Sequence, residues 1–232
     1  MSFLKKYCQK RRQKRMLRKF YRNGNHVYLV TEQGTRITNP SRVPGLYVNA
    51  TGTNNTITIE LPIKIDKKLT IALTDNATIS IGHHAHFSGP SRISKSRGSA
   101  ENHVHIGNYC GFGECIIDIT DHGNIDIGNN GMFSWGIYIK TDDTHPVFDA
   151  ATGAVLNRST GISIGNHVWI GMYATILKNS IIADNSIVGA HSVVAGKFTE
   201  PNTALAGNPA RVVKTGINWS GKSIEDYCAQ NP

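Results

Sequence analysis

Between Ile164 and Val194 aliphatic residues recur every six positions: Ile164, Ile170, Ile176, Ile182, Val188 and Val194. The next residue is small in all but one case (Gly165, Gly171, Ala183, Gly189, Ala195), the exception being Leu177. Four positions after each aliphatic come Val168, Ala174, Ser180, Ser186, Ser192 and Phe198. A period of six matches neither the 3.6 of a helix nor the alternation of a long strand. It matches a chain that turns a corner every six residues and lays short strands on flat faces. Stacking such turns buries one aliphatic column per face. The pattern therefore predicts an all-β fold, a parallel β-helix of hexapeptide coils.

Weaker forms of the signal extend it backwards. Ile57, Ile63 and Leu69 again differ by six, within short alternations that read as the first coils. Ile81-Gly82, Ile106-Gly107 and Ile127-Gly128 repeat the aliphatic-glycine mark at wider separations than a three-sided coil requires, so loops are expected at corners, one of them at Ser94 to Asn102. From Ile127 the register runs through Phe133 and Ile139, breaks at Thr141, and returns only at Ile162. An excursion of about twenty residues is long for a compact repeat protein, and such loops usually carry function. The expected organisation is a basic N-terminal helix over 1–22, an irregular lead-in over 23–55, the β-helix over 56–213 with its loop at about 140–161, and a C-terminal extension over 214–232. A short helix from Ser223, its N-cap, to Ala229 is expected to cover the last coil.

Charge changes the reading of one segment only. Residues 1–22 hold ten of the 25 Lys and Arg residues and no acid, which leaves fifteen basic residues against sixteen acidic ones elsewhere. The segment lacks Gly and Pro, and Phe3/Tyr7, Leu4/Cys8, Met16/Phe20 and Leu17/Tyr21 are spaced i, i+4 among the cations. That suits a helix on an anionic membrane surface; a helix packed on its own protein is the alternative, and nucleic-acid binding a weaker third. No apolar run is long enough to cross a membrane, and no apolar core follows the N-terminal charges as a signal peptide would need. Cys8, Cys110, Cys115 and Cys228 have no paired or zinc-like spacing, so a reduced, cytoplasmic protein is expected. His83, His84, His86, His103 and His105 cluster in sequence but read as polar corner residues, with no metal expected.

The segment Gly165-Asn166-His167-Val168-Trp169-Ile170-Gly171, with Ala206-Gly207-Asn208-Pro209-Ala210-Arg211 downstream, resembles the hexapeptide-repeat acyltransferases. The likeness is closest to the branch holding the galactoside, maltose and nodulation-factor acetyltransferases and many polysaccharide O-acetyltransferases. It covers Ile125 to Lys214 well and weakens towards the N-terminus. It implies a left-handed β-helix, a homotrimer with coenzyme A between neighbours, and acetyl-CoA as co-substrate.

It also implies a catalytic histidine on the loop, here His145 in Thr144-His145-Pro146-Val147. An acceptor hydroxyl is a poor nucleophile at neutral pH, and an imidazole titrating near neutrality can take its proton as it attacks a thioester. Asp143 or Asp142 would orient the ring, the other being free to hold the acceptor sugar, with Trp135 beside it. His167 reads as a corner residue. For coenzyme A the resemblance implies contacts at Trp169, Gly171, Met172, Ala190, Lys197, Asn208, Arg211 and Lys214. The match at Lys197 is softened by one extra residue before Pro201, and Trp169 serves equally as a core or interface aromatic. No serine has a nucleophile-elbow context, so direct transfer in a ternary complex is expected. The expected activity is O-acetylation of a sugar hydroxyl in a surface polysaccharide or its lipid-linked precursor. The rivals are an amino-sugar N-acetyltransferase on the same scaffold and a noncatalytic binding module.

Overall fold

The computed structural model describes residues 3–120 and 123–231, with side chains from Tyr7 onward. The chain winds around three parallel sheets of nine, eight and seven strands, visiting them in turn. In its last coils each strand is two residues long, one half-exposed and one buried, as at Trp169–Ile170, Thr175–Ile176, Ile181–Ile182 and Ile187–Val188. The six-residue period is the distance from one inward side chain to the next around the triangle. Parallel pairing puts Ile127, Ile164, Ile182 and Phe198 in one column and Ile139, Ile176 and Val194 in another. On the third face Phe87, Phe112 and Phe133 stack with ring centroids 4.8 and 4.6 Å apart. All three are buried, and they form the aromatic spine of the core.

The small residue after each inward aliphatic has a steric cause. A Cβ on Gly171 would stand 2.7 Å from the backbone nitrogen of Ala190 one coil away. Corners further on need a left-handed residue, supplied by His84, Tyr109, Asn130, His167 and Asn185, all with φ between 54° and 58°. His167 is thus a corner residue, as expected. The position before it forms a hydrogen-bonded ladder: the Oδ1 atoms of Asn108, Asn129, Asn166 and Asp184 accept from the backbone N–H of the preceding coil, at 3.1, 2.8, 2.9 and 2.7 Å.

Coils begin earlier than the sequence pattern suggests. Strands His26–Val30 and Leu46–Ala50 lie in the predicted irregular lead-in, yet they pair in parallel with Thr56–Glu60 and Leu69–Leu73. The six-residue period is lost there because the segment Arg36–Thr38 folds back antiparallel on His26–Val30. The expected corner loop near Ser94 is narrower than predicted. Strand Ser91–Lys95 runs into it and strand Asn102–Ile106 out of it, leaving 96–101.

Helix α1 (Phe3–Arg22) closes the N-terminal end of the solenoid. Gln13, Leu17 and Phe20 are buried, Arg42 Nε donates to Gln13 Oε1 at 3.4 Å, and Tyr21 donates its hydroxyl to Pro40 O at 2.8 Å. Burial pushes the Tyr21 phenol up. Of the apolar spacings that suggested a membrane-facing helix, Leu17 and Phe20 are turned into the protein; the side chains of Phe3 and Leu4, and residues 1 and 2, lie outside the described residues. No helix among the described residues is long and apolar enough to cross a membrane. At the other end α2 (Ile224–Gln230) is capped by Ser223, whose hydroxyl accepts from Asp226 N at 3.1 Å. It does not cover the last coil, for none of its side chains is buried. The extension meets the last coil instead through Ile217, whose N–H donates to the Asn202 carbonyl at 3.0 Å, while Trp219 reaches back to stack on His167 at 4.2 Å and donate to the His167 carbonyl at 2.7 Å.

Candidate active site

The excursion leaves strand Ile137–Lys140 at the corner leading to the nine-stranded sheet and rejoins that sheet at Ile162–Ile164. Its first turn is local. Asp142 Oδ1 accepts from Thr144 N at 3.0 Å, and Thr144 takes a φ of 70° with its hydroxyl accepting from Lys140 Nζ at 2.7 Å. This is the side-chain-mimicked turn that Asp favours. The turn throws His145 out, its side chain exposed.

Asn157 pins the return arm to this turn. Its Nδ2 donates to the His145 carbonyl at 2.9 Å and to Asp143 Oδ2 at 2.8 Å, while its Oδ1 accepts from Val147 N at 2.8 Å. Lys178, from the next coil, donates to Asp143 Oδ2 and, at 3.1 Å, to the Asn157 carbonyl. Lys178 first and Asn157 second hold the Asp143 carboxyl below the usual carboxylate range. These bonds give both carboxylates partners within the loop and its neighbouring coil: Lys178 and Asn157 donate to Asp143 Oδ2, and the Thr144 backbone N–H donates to Asp142 Oδ1. Below the turn, Tyr138 stands on the outer face; burial, then the carboxylates of Asp118 and Asp142, push its phenol up.

The residues expected to meet coenzyme A gather mainly on another edge of the triangle. Met172 and Ala190 occupy successive turns of the corner between the eight- and seven-stranded sheets, and Trp135, expected beside the acceptor sugar, occupies the turn before them. The turns are stitched together by Tyr173 N donating to Trp135 O and His191 N donating to Met172 O, both at 2.8 Å, and by Tyr173 stacking on His191 at 5.0 Å. The backbone N–H groups of Met172 and Ala190 have no partner among the described residues. That suits a co-substrate bound through its own carbonyls. Trp169 lies on the adjoining face, half-buried, its Nε1 donating to Ser134 Oγ at 3.4 Å and its ring 6.1 Å from Trp219.

At the end of that sheet, strands Ala204–Gly207 and Ala210–Lys214 form a hairpin through Asn208 and a cis Pro209. It is tied to the Ala190 corner by Gly207 N donating to Ser192 Oγ at 3.2 Å. Arg211 and Lys214 on it are exposed, a suitable pair for phosphate groups. Lys197 is set apart. It lies opposite Ile181 on the outer side of the nine-stranded sheet, a different face from Trp169. Within one chain, then, the histidine loop and the corner of Met172 and Ala190 belong to different edges. The sequence missed Asn157, Lys178, Tyr138, Tyr173 and His191; Tyr173 and His191 stand at the six-residue corner register with His167 and Asn185, and only the length of the loop hinted that something must hold its arms.

Residues 161–196 match the family model described as bacterial transferase hexapeptide (six repeats). A polysialic acid O-acetyltransferase of Neisseria meningitidis is 31% identical over 213 residues, covering 90% of this chain and 96% of the relative. The crystal structure of the polysialic acid O-acetyltransferase OatWY superposes with a TM-score of 0.68 and 26% identity, covering 90% of this chain and 97% of that one. The polysialic-acid-specific acetyltransferase NeuO shares the fold at a TM-score of 0.66 and 22% identity, with 90% and 96% covered. A likeness of this extent, running through the histidine loop and both ends of the solenoid, makes the chain a member of the hexapeptide-repeat family of left-handed β-helix acetyltransferases.

Proposed function

We propose that this enzyme moves an acetyl group from acetyl-CoA to a hydroxyl of an acidic sugar in a surface polysaccharide, as the names of its relatives state for polysialic acid. The observation that carries the reading is His145, an exposed imidazole on an excursion whose two arms are clamped at its backbone by Asn157. In the proposed reaction the His145 ring takes the proton of the acceptor hydroxyl as that oxygen attacks the thioester carbonyl. The C–S bond breaks, and the imidazolium returns its proton to the leaving thiolate. A backbone N–H stabilises the oxyanion. Met172 and Ala190 hold the co-substrate by backbone N–H groups, Arg211 and Lys214 meet its phosphates, and Gly171 and Asn208 shape the turns that present them.

We further propose that the complete site forms between neighbours of a homotrimer, since the loop and the co-substrate corner occupy different edges of one chain. Lys197, on the third face, then belongs to the site shared with the other neighbour, and Trp135 and Asp142 face the acceptor. The four-residue set Asp143, Asn157, Lys178 and Lys140 positions the loop. Acceptor-dependent release of CoA is the test, with polysialic acid and acetyl-CoA as substrates. The wild type releases CoA only when acceptor is present, and His145→Ala lowers that rate about a hundredfold or more with an unchanged thermal midpoint. Unchanged turnover in His145→Ala would remove the histidine from its role. A burst of acetyl-enzyme surviving denaturation would replace direct transfer by a covalent route.

A further inference from the structure

Helix α1 has two opposed faces. Gln13, Leu17 and Phe20, spaced i, i+4, i+7, are its buried anchors. Arg11, Arg15, Arg18 and Arg22, spaced i, i+4, i+7, i+11, are all exposed. At about 100° per residue these four arginines centre on the side opposite the anchors, in a stripe about 17 Å long. The helix contains no acidic residue, and among the described residues no carboxylate pairs with the stripe. Lys10, Lys14 and Lys19 flank it, and a groove of about 1360 Å³ runs along the helix to Arg42 and Asn49 on the body. Like charges at i, i+4 weaken a helix, so an uncompensated arginine stripe works against the element that carries it unless a polyanion lies on it.

The helix that carries the stripe adjoins the start of a track towards the loop. Helix α1 packs on strand Leu46–Ala50, the edge of the seven-stranded sheet. Strand pairing lines up Tyr47, Thr70, Arg92, Ile116 and Tyr138 across the outer face of that sheet. Tyr138 is on the strand that launches the His145 loop. Four strand spacings separate the two ends, about 20 Å. One sugar at His145 cannot reach α1, but a chain of sugars can.

We propose that the arginine stripe of α1 binds the carboxylates of an anionic polysaccharide acceptor at a distance from the site of transfer, so that the enzyme favours long chains over short ones. The inference rests on the reading of the acceptor as an acidic polysaccharide. Arginine is suited to the task because its planar fork meets a carboxylate through two hydrogen bonds. A lipid surface fits less well: Leu17 and Phe20 are turned into the protein, which leaves Tyr7 as the exposed large apolar side chain among the described residues of the helix.

The test uses the full chain and a variant carrying Arg11→Gln, Arg15→Gln, Arg18→Gln and Arg22→Gln, which keeps the buried anchors and good helix formers throughout. Kinetics are measured on long-chain polysialic acid and on its trisaccharide, and direct binding of the polymer is measured without acetyl-CoA. The variant should show a KM for the polymer raised roughly tenfold, with kcat and the trisaccharide KM unchanged. Added salt should shrink the wild type's preference for the polymer in the same way. An unchanged polymer KM, or an equal loss on polymer and trisaccharide, overturns the proposal. So does binding to phosphatidylserine vesicles that depends on the stripe while polymer binding does not. If the wild type acetylates neither saccharide, the acceptor reading falls separately; weaker polymer binding by the variant still supports the stripe, and equal binding sinks it.

Discussion

A carboxylate two residues from the catalytic candidate is bonded to the groups that hold the loop. Asp143 is held by Lys178 and Asn157, and Asn157 also grips the His145 carbonyl, so the charge acts on the position of the backbone. Lys178→Met is therefore predicted to lower kcat roughly ten- to a hundredfold through misplacement of His145, with a small change in thermal midpoint because the ion pair is partly exposed. The pH dependence has a definite sign. The Asp143 carboxyl is depressed below its ordinary value of 3.8, so its contribution to stability is complete above that value and lost as pH falls through the folded one. The difference in thermal midpoint between wild type and Asp143→Asn should be constant near neutrality and vanish in stronger acid; a difference that grew on acidification would contradict the assignment. Thiol chemistry divides as sharply. Cys110 is buried, its thiol pushed up to about 11, and burial pushes Cys115 higher, while Cys8 and Cys228 are exposed. Native protein should be alkylated by iodoacetamide at Cys8 and Cys228 alone, as peptide mapping would show. The sequence pointed to His145 as a candidate because it stands in a recognisable His-Pro context on a conspicuous loop. Asn157 and Lys178 stayed hidden because their partners lie 12 to 35 residues away with no spacing rule to join them.

Among the elements, the coils were legible wherever a two-residue strand and a four-residue corner alternate without interruption. The period of six is a direct projection of the triangular cross-section, and the glycine after each aliphatic marks where the next coil's backbone passes. The same logic explains the failure between 23 and 55. There the strands are five residues long and a hairpin is inserted, so inward residues such as Val27 and Val48 are no longer six apart although both are fully buried. The phenylalanine stack is a second feature that periodicity touched only at Phe133. Phe112 is packed between two rings, and removing it leaves a void that flanking coils cannot collapse into without breaking their pairing. Phe112→Ala should cost about 3–5 kcal/mol in denaturant unfolding, whereas Phe112→Leu should cost far less. Equal, small losses for both would mean that the stack is loosely packed.

The whole molecule poses the question of how many chains make one site. A solenoid presents its edges to different directions, and this one puts His145 on one edge and the free N–H groups of Met172 and Ala190 on another. Two variants make the arrangement testable: His145→Ala removes the base, and Arg211→Ala with Lys214→Ala removes the cations expected at the phosphates. Each alone should be nearly inactive at low acetyl-CoA. In a homotrimer whose sites form between neighbours, unfolding and refolding the two variants together creates mixed rings. Wherever a chain with an intact loop abuts one with an intact co-substrate edge, a complete site is restored. With equal amounts and random assembly that is about a quarter of all sites. If each chain used its own loop and its own edge, every site would keep one defect and the mixture would stay as inactive as its parts. Recovery of about a quarter of wild-type turnover would therefore establish both oligomer and shared site at once. Absence of recovery, with mixed trimers demonstrated by mass, would return the loop and the co-substrate to a single chain.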